Sequence, residues 1–329
     1  MKIAVKLFLL AVLVFTLAYF ILSKKPAPEK YEPRESAIET EITPEVSPLP
    51  VLPKDEIIKP PVKETPVVTL QDNAGAKWIK ILNYHEIFPE SVRSSKDPKI
   101  NRFSKPSDLL LIVTAENFER QMKFLAENFK CVKMSELGAH LENKQPFEKN
   151  VVVITFDGAD ESICQYAYPI LKKYNLPATL FLHINSVKLD RTAMKWDTLK
   201  KIHEEGLMEI ESHSMSHPHL NKLKTGETEE EYENRVRWEM TESKKIIEEK
   251  LNKKVYYFAY PYGSYNSTVM RLLKECGYKA SVTVQWDKNT VETNPYALRR
   301  RGVFGNISLA QFIELVTKNQ KDDMREFAD

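Results

Sequence analysis

The pair His213 and His217, four residues apart, is the part of the sequence best suited to chemistry. Imidazole suits zinc and similar ions, and a site with two histidines and one carboxylate leaves positions open for water. The spacing alone is weak evidence, because surface histidines are often four residues apart. The pair lies just beyond residues 208–211, Met-Glu-Ile-Glu, which predict a short strand, and this setting favours a metal site.

Asp157 and Asp160 are the candidate acidic partners. They follow residues 151–156, a β-branched run that predicts a buried strand. A charge placed directly after such a strand is costly without a partner, so Asp157 is the stronger functional candidate. Asp160 has an equally good structural interpretation, as the cap of a helix that starts near Ser162.

Residues 258–263 read Phe-Ala-Tyr-Pro-Tyr-Gly and predict a strand that enters an aromatic turn. The flat rings of Tyr260 and Pro261 could form a sugar-binding wall, and we group Trp286 with them. The backbone N–H of Tyr262 could face an oxyanion. The alternative is a turn whose aromatic rings only pack against each other.

Two further candidates depend on the fold. His85 ends the first predicted strand, although a lone histidine is more often structural. Residues 299–301 are three consecutive arginines, and such a run usually forms a solvated face. A single inward-facing member, such as Arg300, could instead pair with a carboxylate and keep it ionised.

The elements that must position these residues alternate from residue 78 onward. Repeated strand–helix units predict an α/β fold, a parallel (β/α) barrel that is distorted or incomplete, with its chemistry at the carboxyl ends of the strands. Ser135 is the predicted N-cap of a helix over residues 135–142. The predicted strands are 78–84, 132–133, 151–156, 178–182, 208–211, 255–259 and 279–282, and the predicted helices are 115–128, 135–142, 162–174, 197–205, 229–251, 267–276 and 309–316.

The amino-terminal part has a different composition. Residues 7–22 are almost entirely apolar between flanking lysines, which favours an uncleaved signal-anchor over a cleaved signal peptide. Residues 24–75 are rich in proline and polar residues and predict a disordered linker. The predicted organisation is an anchor at 1–23, this linker, a barrel at 76–320 and a tail at 321–329. It would hold the barrel outside the cytoplasmic membrane, or release it if the anchor were cleaved.

Bulk properties exclude some partners. The 329 residues carry a formal charge of +2, which gives no electrostatic case for binding nucleic acid. The cysteines Cys131, Cys164 and Cys276 are far apart and form neither a disulfide framework nor a C-x-x-C site. Nothing in the sequence implies an obligate protein partner.

Together these motifs resemble the polysaccharide deacetylase family, carbohydrate esterases of the NodB-homology type. The family's first motif is Thr-Phe-Asp-Asp-Gly, and residues 155–159 read Thr-Phe-Asp-Gly-Ala. Residues 166–181, the His-Ser-x-x-His run at 213–217 and the aromatic turn at 258–263 are also similar to the family. Tyr84-His85 and residues 298–309 resemble its branch that deacetylates poly-N-acetylglucosamine, in which the motif order is rearranged. The resemblance covers residues 77–317 and implies a seven-stranded NodB-type barrel.

The resemblance implies a role for each matching residue and a divalent metal ion, zinc with cobalt or nickel as alternatives. At Ala259 many members have an arginine, and here Arg300 would orient the base instead. The implied roles are general base for Asp157, metal ligands for His213 and His217, general acid for His85, oxyanion donor for the backbone N–H of Tyr262, and orienting residue for Arg300.

One departure from the family concerns the metal. The family's second aspartate, its metal ligand, falls on Gly158. Three outcomes stay open: Asp160 reaches the metal, Asp157 becomes the ligand with Asp160 as base, or metal binding is lost.

The implied function is metal-dependent removal of N-acetyl groups from an extracytoplasmic glycan, such as peptidoglycan or a poly-N-acetylglucosamine-like polymer, with release of acetate. The alternatives are a non-catalytic glycan-binding or scaffold protein, which Gly158 motivates, and an esterase that removes O-acetyl groups.

Overall fold

A parallel sheet organises the described part of the chain. The structure, a computed structural model, describes residues 77–94, 109–305 and 307–318. The strands are β1 (Ile79–Tyr84), β2 (Glu86–Phe88), β3 (Ile112–Thr114), β4 (Lys130–Val132), β5 (Val151–Asp157), β6 (Ala178–Leu182), β7 (Met208–Ser212), β8 (Tyr257–Ala259), β9 (Ala280–Val282) and β10 (Arg300–Gly302).

Helices connect most of these strands. A π-helical turn (Ile163–Ala167) and two 3₁₀ turns (Pro261–Gly263 and Pro295–Ala297) accompany them. The α-helices are α1 (Glu90–Arg93), α2 (Ala115–Asn128), α3 (Met134–Glu142), α4 (Tyr168–Lys173), α5 (Ile184–Leu189), α6 (Trp196–Glu204), α7 (Glu229–Leu251), α8 (Ser267–Glu275) and α9 (Leu309–Thr317).

The strands form a nearly closed barrel. The sheet runs in the order β10-β1-β5-β6-β7-β8-β9 with every pair parallel, and β4 pairs with the start of β5. The two ends of this order meet just before β10, where Leu298 donates its N–H to Ser281 O at 3.0 Å and accepts from Thr283 N at 2.8 Å. The predicted (β/α) barrel is therefore confirmed.

Two apolar layers hold the barrel together. One fills the interior and includes Val151, Val153 and Phe181, all buried. The other lies between the strands and the helices and includes Val152 and Ile154. Adjacent residues of β5 thus belong to different layers, as the alternation of side chains along a strand requires.

The structure differs from the predicted elements in places. Strands β2, β3 and β10 were not predicted; β10 reads Arg-Arg-Gly and has no apolar residue to mark it. The predicted helix 162–174 is a π turn followed by α4, because Pro169 lacks an N–H and its ring clashes with the preceding turn.

The predicted N-cap role of Ser135 is wrong. Helix α3 begins one residue earlier, at Met134, and its N-cap Lys133 makes no side-chain cap bond. The first amides of the helix are instead satisfied from neighbouring strands: Met134 N donates to Thr179 Oγ1 and Ser135 N donates to Glu209 Oε1. A helix end with such partners needs no capping side chain.

The predicted anchor (1–23) and nearly all of the predicted linker (24–75) and tail (321–329) lie outside the described residues. Within the ranges that the structure describes, no helix has the length and apolar character that a bilayer span requires.

Candidate active site

The candidate residues come together at the carboxyl ends of the barrel strands. Every second residue of a strand faces the barrel interior. On β5 these inward-facing residues include Val151 and Val153, and the last of them is Asp157. All the predicted site residues except Pro261 line one cavity of about 620 Å³. Pro261 is buried beside it.

Asp157 and Arg300 form a bidentate ion pair on the cavity floor. Arg300 Nη1 donates to Asp157 Oδ1 at 2.7 Å and Nη2 donates to Oδ2 at 2.6 Å. The Nε of Arg300 donates to Thr283 O at 2.9 Å, which fixes the plane of the guanidinium. Both partners are buried, Arg300 fully. Two parallel bonds set the orientation of the carboxylate as well as its charge.

The ion pair keeps Asp157 ionised. Burial by itself raises the pKa of the carboxyl, but the charge and hydrogen bonds of Arg300, with a contribution from His213, bring that pKa well below its usual range. Asp157 is therefore a carboxylate, able to accept a proton, at any pH at which the protein would work.

His213 and His217 direct one nitrogen each at the same point. Their Nε2 atoms are 3.0 Å apart. His213 Nδ1 lies 2.9 Å from Ala259 O, and because a carbonyl only accepts, Nδ1 carries the proton and Nε2 keeps its lone pair. Burial lowers the pKa of His213 to about 3 and also lowers that of His217. Both rings are neutral, which is the form that binds metals.

The loop that carries these histidines is held by a residue that the sequence did not suggest. Glu239, buried on α7, accepts from Met215 N at 3.0 Å and from Ser216 N at 2.8 Å. Its other oxygen accepts from the Ser216 hydroxyl. His217 itself has a φ of 56°, which is uncommon for a side chain other than glycine or asparagine. The Glu239 contacts stabilise this strained loop.

His85 follows β1 and lines the same cavity. Burial lowers its pKa, although the nearby charge of Asp157 acts in the opposite direction. In the free site His85 is therefore neutral near pH 7, so it must gain a proton before it can act as an acid.

His183 is a cavity residue that the sequence analysis missed. It follows β6 and extends the interior series that contains Phe181. Its Nδ1 lies 2.5 Å from Ser186 Oγ, and burial, with His217 nearby, lowers its pKa to about 4. The alternation of inward residues along residues 178–182 was the signal that could have found it.

Asp160 and Gly158 lie in the turn that follows β5. Asp160 lines the cavity, and its Oδ1 accepts from Ser162 N at 2.9 Å, as the capping interpretation expected. Gly158 has a φ of +116°, and nothing lies within 4 Å of the position that a Cβ would occupy. An aspartate at 158 would have space, but it would be strained in this backbone conformation.

The predicted aromatic residues differ in how far they are exposed to the cavity and to solvent. Tyr260 is fully buried, and its hydroxyl donates to Tyr296 O at 3.0 Å, so the ring packs inside the fold. Tyr262 is 58% exposed and Trp286 39% exposed at the rim. The guanidinium of Arg301 covers one face of Trp286. Phe304, which was not predicted, adds a third exposed ring to the cavity wall.

The donor set fits a divalent ion. Two ligands at about 2.1 Å from one tetrahedral ion are about 3.4 Å apart. The two neutral Nε2 atoms, 3.0 Å apart, therefore need to separate only slightly to bind the same ion. The backbone carbonyl behind His213 is the usual outer partner of a metal-bound histidine. No group of three or more His, Cys, Asp or Glu side chains in the described ranges is placed as a metal cluster. The two histidines are therefore the part of the metal site that the geometry supports directly.

Comparisons with known proteins agree with the fold. The polysaccharide deacetylase family profile matches residues 144–281. A poly-β-1,6-N-acetyl-D-glucosamine N-deacetylase of Staphylococcus aureus is 29% identical over 67% of this chain and 76% of its own. The solved structure of the Streptococcus pyogenes deacetylase PplD, in complex with acetate, covers 74% of this chain and 99% of that one, with 24% identity and a TM-score of 0.62.

A further relative is YxkH of Bacillus subtilis, which is provisionally named a polysaccharide deacetylase. It is 30% identical over 263 residues, which are 79% of this chain and 86% of YxkH. Identity at this level over most of both proteins shows common family membership and not only a shared barrel. The chain therefore belongs to the polysaccharide deacetylase family.

Proposed function

We propose that the protein removes N-acetyl groups from an N-acetylated glycan outside the cytoplasmic membrane and releases acetate. The observation that carries the proposal is the arrangement of Asp157, oriented by Arg300, 3.9 Å from the Nε2 of His213, at the floor of a cavity with aromatic rings at its rim. This places a carboxylate base beside two neutral imidazoles where a carbonyl group could enter.

His213 and His217 would hold a divalent ion, zinc in the first instance, with cobalt or nickel as substitutes. When bound, such an ion polarises a carbonyl group and lowers the pKa of water. The contribution of the chain is to keep both imidazoles neutral through burial and to fix the His213 ring through its bond to Ala259 O.

Asp157 accepts the proton of the attacking water. Arg300 occupies both of its oxygens from one side, which leaves their remaining lone pairs directed toward the cavity. His85 faces the same cavity and starts neutral. It would take up the proton released in the first step and deliver it to the leaving amine. One proton thus moves from water to the amine, and the site returns to its starting state.

The backbone N–H of Tyr262 is a donor for the oxygen of the reacting amide. Tyr262 lies inside a three-residue 3₁₀ turn, where the first N–H groups have no intrahelical partner. Its φ of 56° is a strained conformation of the kind that concentrates at functional sites. The exposed rings of Tyr262, Trp286 and Phe304 would pack against sugar faces.

The relatives support the substrate class. One of them is named a poly-β-1,6-N-acetyl-D-glucosamine N-deacetylase. A peptidoglycan or poly-N-acetylglucosamine-like polymer is therefore the proposed substrate, and the apolar segment at residues 7–22 would anchor the enzyme in the membrane beside it.

The test measures acetate released from N-acetylglucosamine oligomers by the full-length protein in detergent. We expect His85→Ala to abolish turnover and to leave the bound metal unchanged, because His85 transfers a proton and does not hold the ion. His140→Ala is the matched control, since His140 stacks on Phe147 away from the cavity. A fully active His85→Ala protein would reject the acid role, and faster release from acetyl esters than from acetamides would favour the O-acetyl esterase.

A glycan-binding protein without catalysis is the second candidate, because Gly158 removes the carboxylate that the resemblance expects. Wild-type protein that binds the oligomers, contains no metal and releases no acetate would favour this candidate.

A further inference from the structure

We infer that His183 is the third protein ligand of the ion held by His213 and His217, so that the site has three imidazoles and no carboxylate. The inference rests on the metal dependence proposed above. It concerns the position where this chain departs from its family, since Gly158 offers no side chain for a metal.

The barrel places His183 beside His213. Strands β6 and β7 pair in parallel up to Leu182 and Ser212, and His213 N donates to Leu182 O at 2.9 Å. His183 directly follows β6, and His213 directly follows β7. Each continues the inward-facing series of residues of its own strand. Both line the cavity. Their Cα atoms are thus neighbours at the strand ends where the proposed ion lies.

The Nε2 of His183 is buried, and no group in the described residues forms a hydrogen bond with it. An unpaired polar atom in such a place is unfavourable, because it has given up its hydrogen bond to water. The Ser186 hydroxyl can accept from Nδ1–H, and that tautomer leaves the lone pair on Nε2. Metal coordination would satisfy the lone pair, as it would for the Nε2 of His213.

The ring spacing also fits. The centroids of His183 and His217 are 5.3 Å apart, and those of His213 and His217 are 4.7 Å apart. Imidazoles on one tetrahedral ion, with metal–nitrogen distances of about 2.1 Å, have ring centroids about 5 Å apart. The ring of His183 is therefore near enough to share an ion with the other two, once its Nε2 is turned toward them by rotation about the side-chain bonds.

Two nearby carboxylates of the cavity already have other roles. Asp157 is the base assigned above, and Arg300 donates to both of its oxygens. Asp160 Oδ1 caps the turn that follows it, through Ser162 N. His183, in contrast, offers a donor atom that is close to the pair and makes no hydrogen bond in the described part of the chain. A site of three neutral nitrogens would favour zinc, cobalt or nickel over magnesium or manganese, which prefer oxygen ligands.

The experiment measures the affinity of full-length protein for zinc and for cobalt by competition with a chromophoric chelator. Because loss of an outer-sphere partner alone costs about 10–100-fold in metal affinity, we expect His183→Ala to weaken binding by at least about 100-fold. Ser186→Ala should weaken it by about tenfold. His183→Glu should recover part of the affinity, and His140→Ala should leave it unchanged.

The number of imidazoles bound to zinc, measured by X-ray absorption, gives a second readout that does not depend on activity. We expect three in the wild-type protein and two in His183→Glu. Circular dichroism of each metal-free variant separates loss of a ligand from loss of the fold. The inference about His183 would be overturned if zinc in the wild-type protein had only two imidazoles, or if folded His183→Ala kept the wild-type affinity. Neither outcome would affect the proposed function. Wild-type protein that binds no metal would overturn the metal dependence of the proposed function as well.

Discussion

Neighbouring residues in this chain have opposite environments, and Arg299 and Arg300 show the contrast most directly. Arg300 is fully buried and makes the bidentate pair with Asp157. Arg299 pairs with Asp287 at 3.1 Å, and both side chains are partly exposed, 42% and 31%. Arginine thus serves the site at one position and the surface at the next, because successive residues along an extended chain face opposite sides.

This contrast leads to a prediction about stability. Arg300→Met leaves the buried Asp157 carboxylate without its partner and should lower the free energy of unfolding by about 3–5 kcal/mol. Arg299→Met breaks a surface pair and should cost less than about 1 kcal/mol. Urea unfolding at neutral pH measures both. Adding Asp157→Leu to Arg300→Met should recover much of the loss, and equal losses for the two single arginine variants would contradict the assigned environments.

At the scale of elements, the short segments after the strands determine the chemistry. The turn after β5 presents Asp157 and then reverses at Gly158, whose N–H donates to Phe181 O at 3.0 Å. The loop after β7 turns through two residues with positive φ, Ser214 at 69° and His217 at 56°. Both turns aim polar groups into the cavity, and both require backbone conformations that most side chains avoid.

We expect Gly158→Ala to lower the free energy of unfolding by roughly 1–3 kcal/mol, because an alanine is strained at a φ of +116° even though space is available. Gly226→Ala is the matched control, since Gly226 also has a positive φ, +81°, and an open Cβ position outside the cavity. Both variants should lose stability in thermal or urea unfolding, and only Gly158→Ala should also lose activity. An unchanged stability of Gly158→Ala would show that the turn tolerates a side chain.

At the scale of the whole molecule, the barrel concentrates neutral histidines at one end. Burial lowers the pKa of His213 to about 3 and that of His183 to about 4. In the unfolded chain each has the ordinary value of about 6.5. Between about pH 4 and about pH 6.5 the unfolded chain therefore binds protons that the metal-free folded protein does not.

The metal-free protein should consequently lose stability on acidification. The contribution of these histidines to the free energy of unfolding is fully present above about pH 6.5. It decreases as the pH falls toward about 4, by at most about 1.4 kcal/mol per pH unit for each histidine. Urea unfolding in EDTA at several pH values measures the slope. His213→Asn should reduce it, and the exposed-loop change Gly226→Asn should not. A flat profile across this window would show that the folded protein protonates these rings as readily as the unfolded chain does.

Much of the architecture and part of the site were predictable from local patterns. Helices α2 and α7 have the predicted bounds, because helical spacing and capping residues are properties of a short window. Residues 151–156 predicted strand β5, and the histidine pair and Asp157 were found as polar residues that follow predicted strands. His183 was missed although its strand was predicted, since its importance depends on the rings that surround it.

Local propensity and hydrophobic period were thus enough to indicate a parallel barrel. The resemblance of the motifs to a known family indicated a deacetylase-type set of residues and the departure at Gly158. The tertiary structure decided which arginine enters the interior, because that depends on the parallel register that sets Arg300 opposite Ile81 of β1. It also decided that Glu239 supports the histidine loop and that His183 lies beside His213. These are contacts between distant segments, and Arg300 and Asp157 are 143 residues apart in the chain. Barrel closure brings such residues together, and no short window of sequence contains that information.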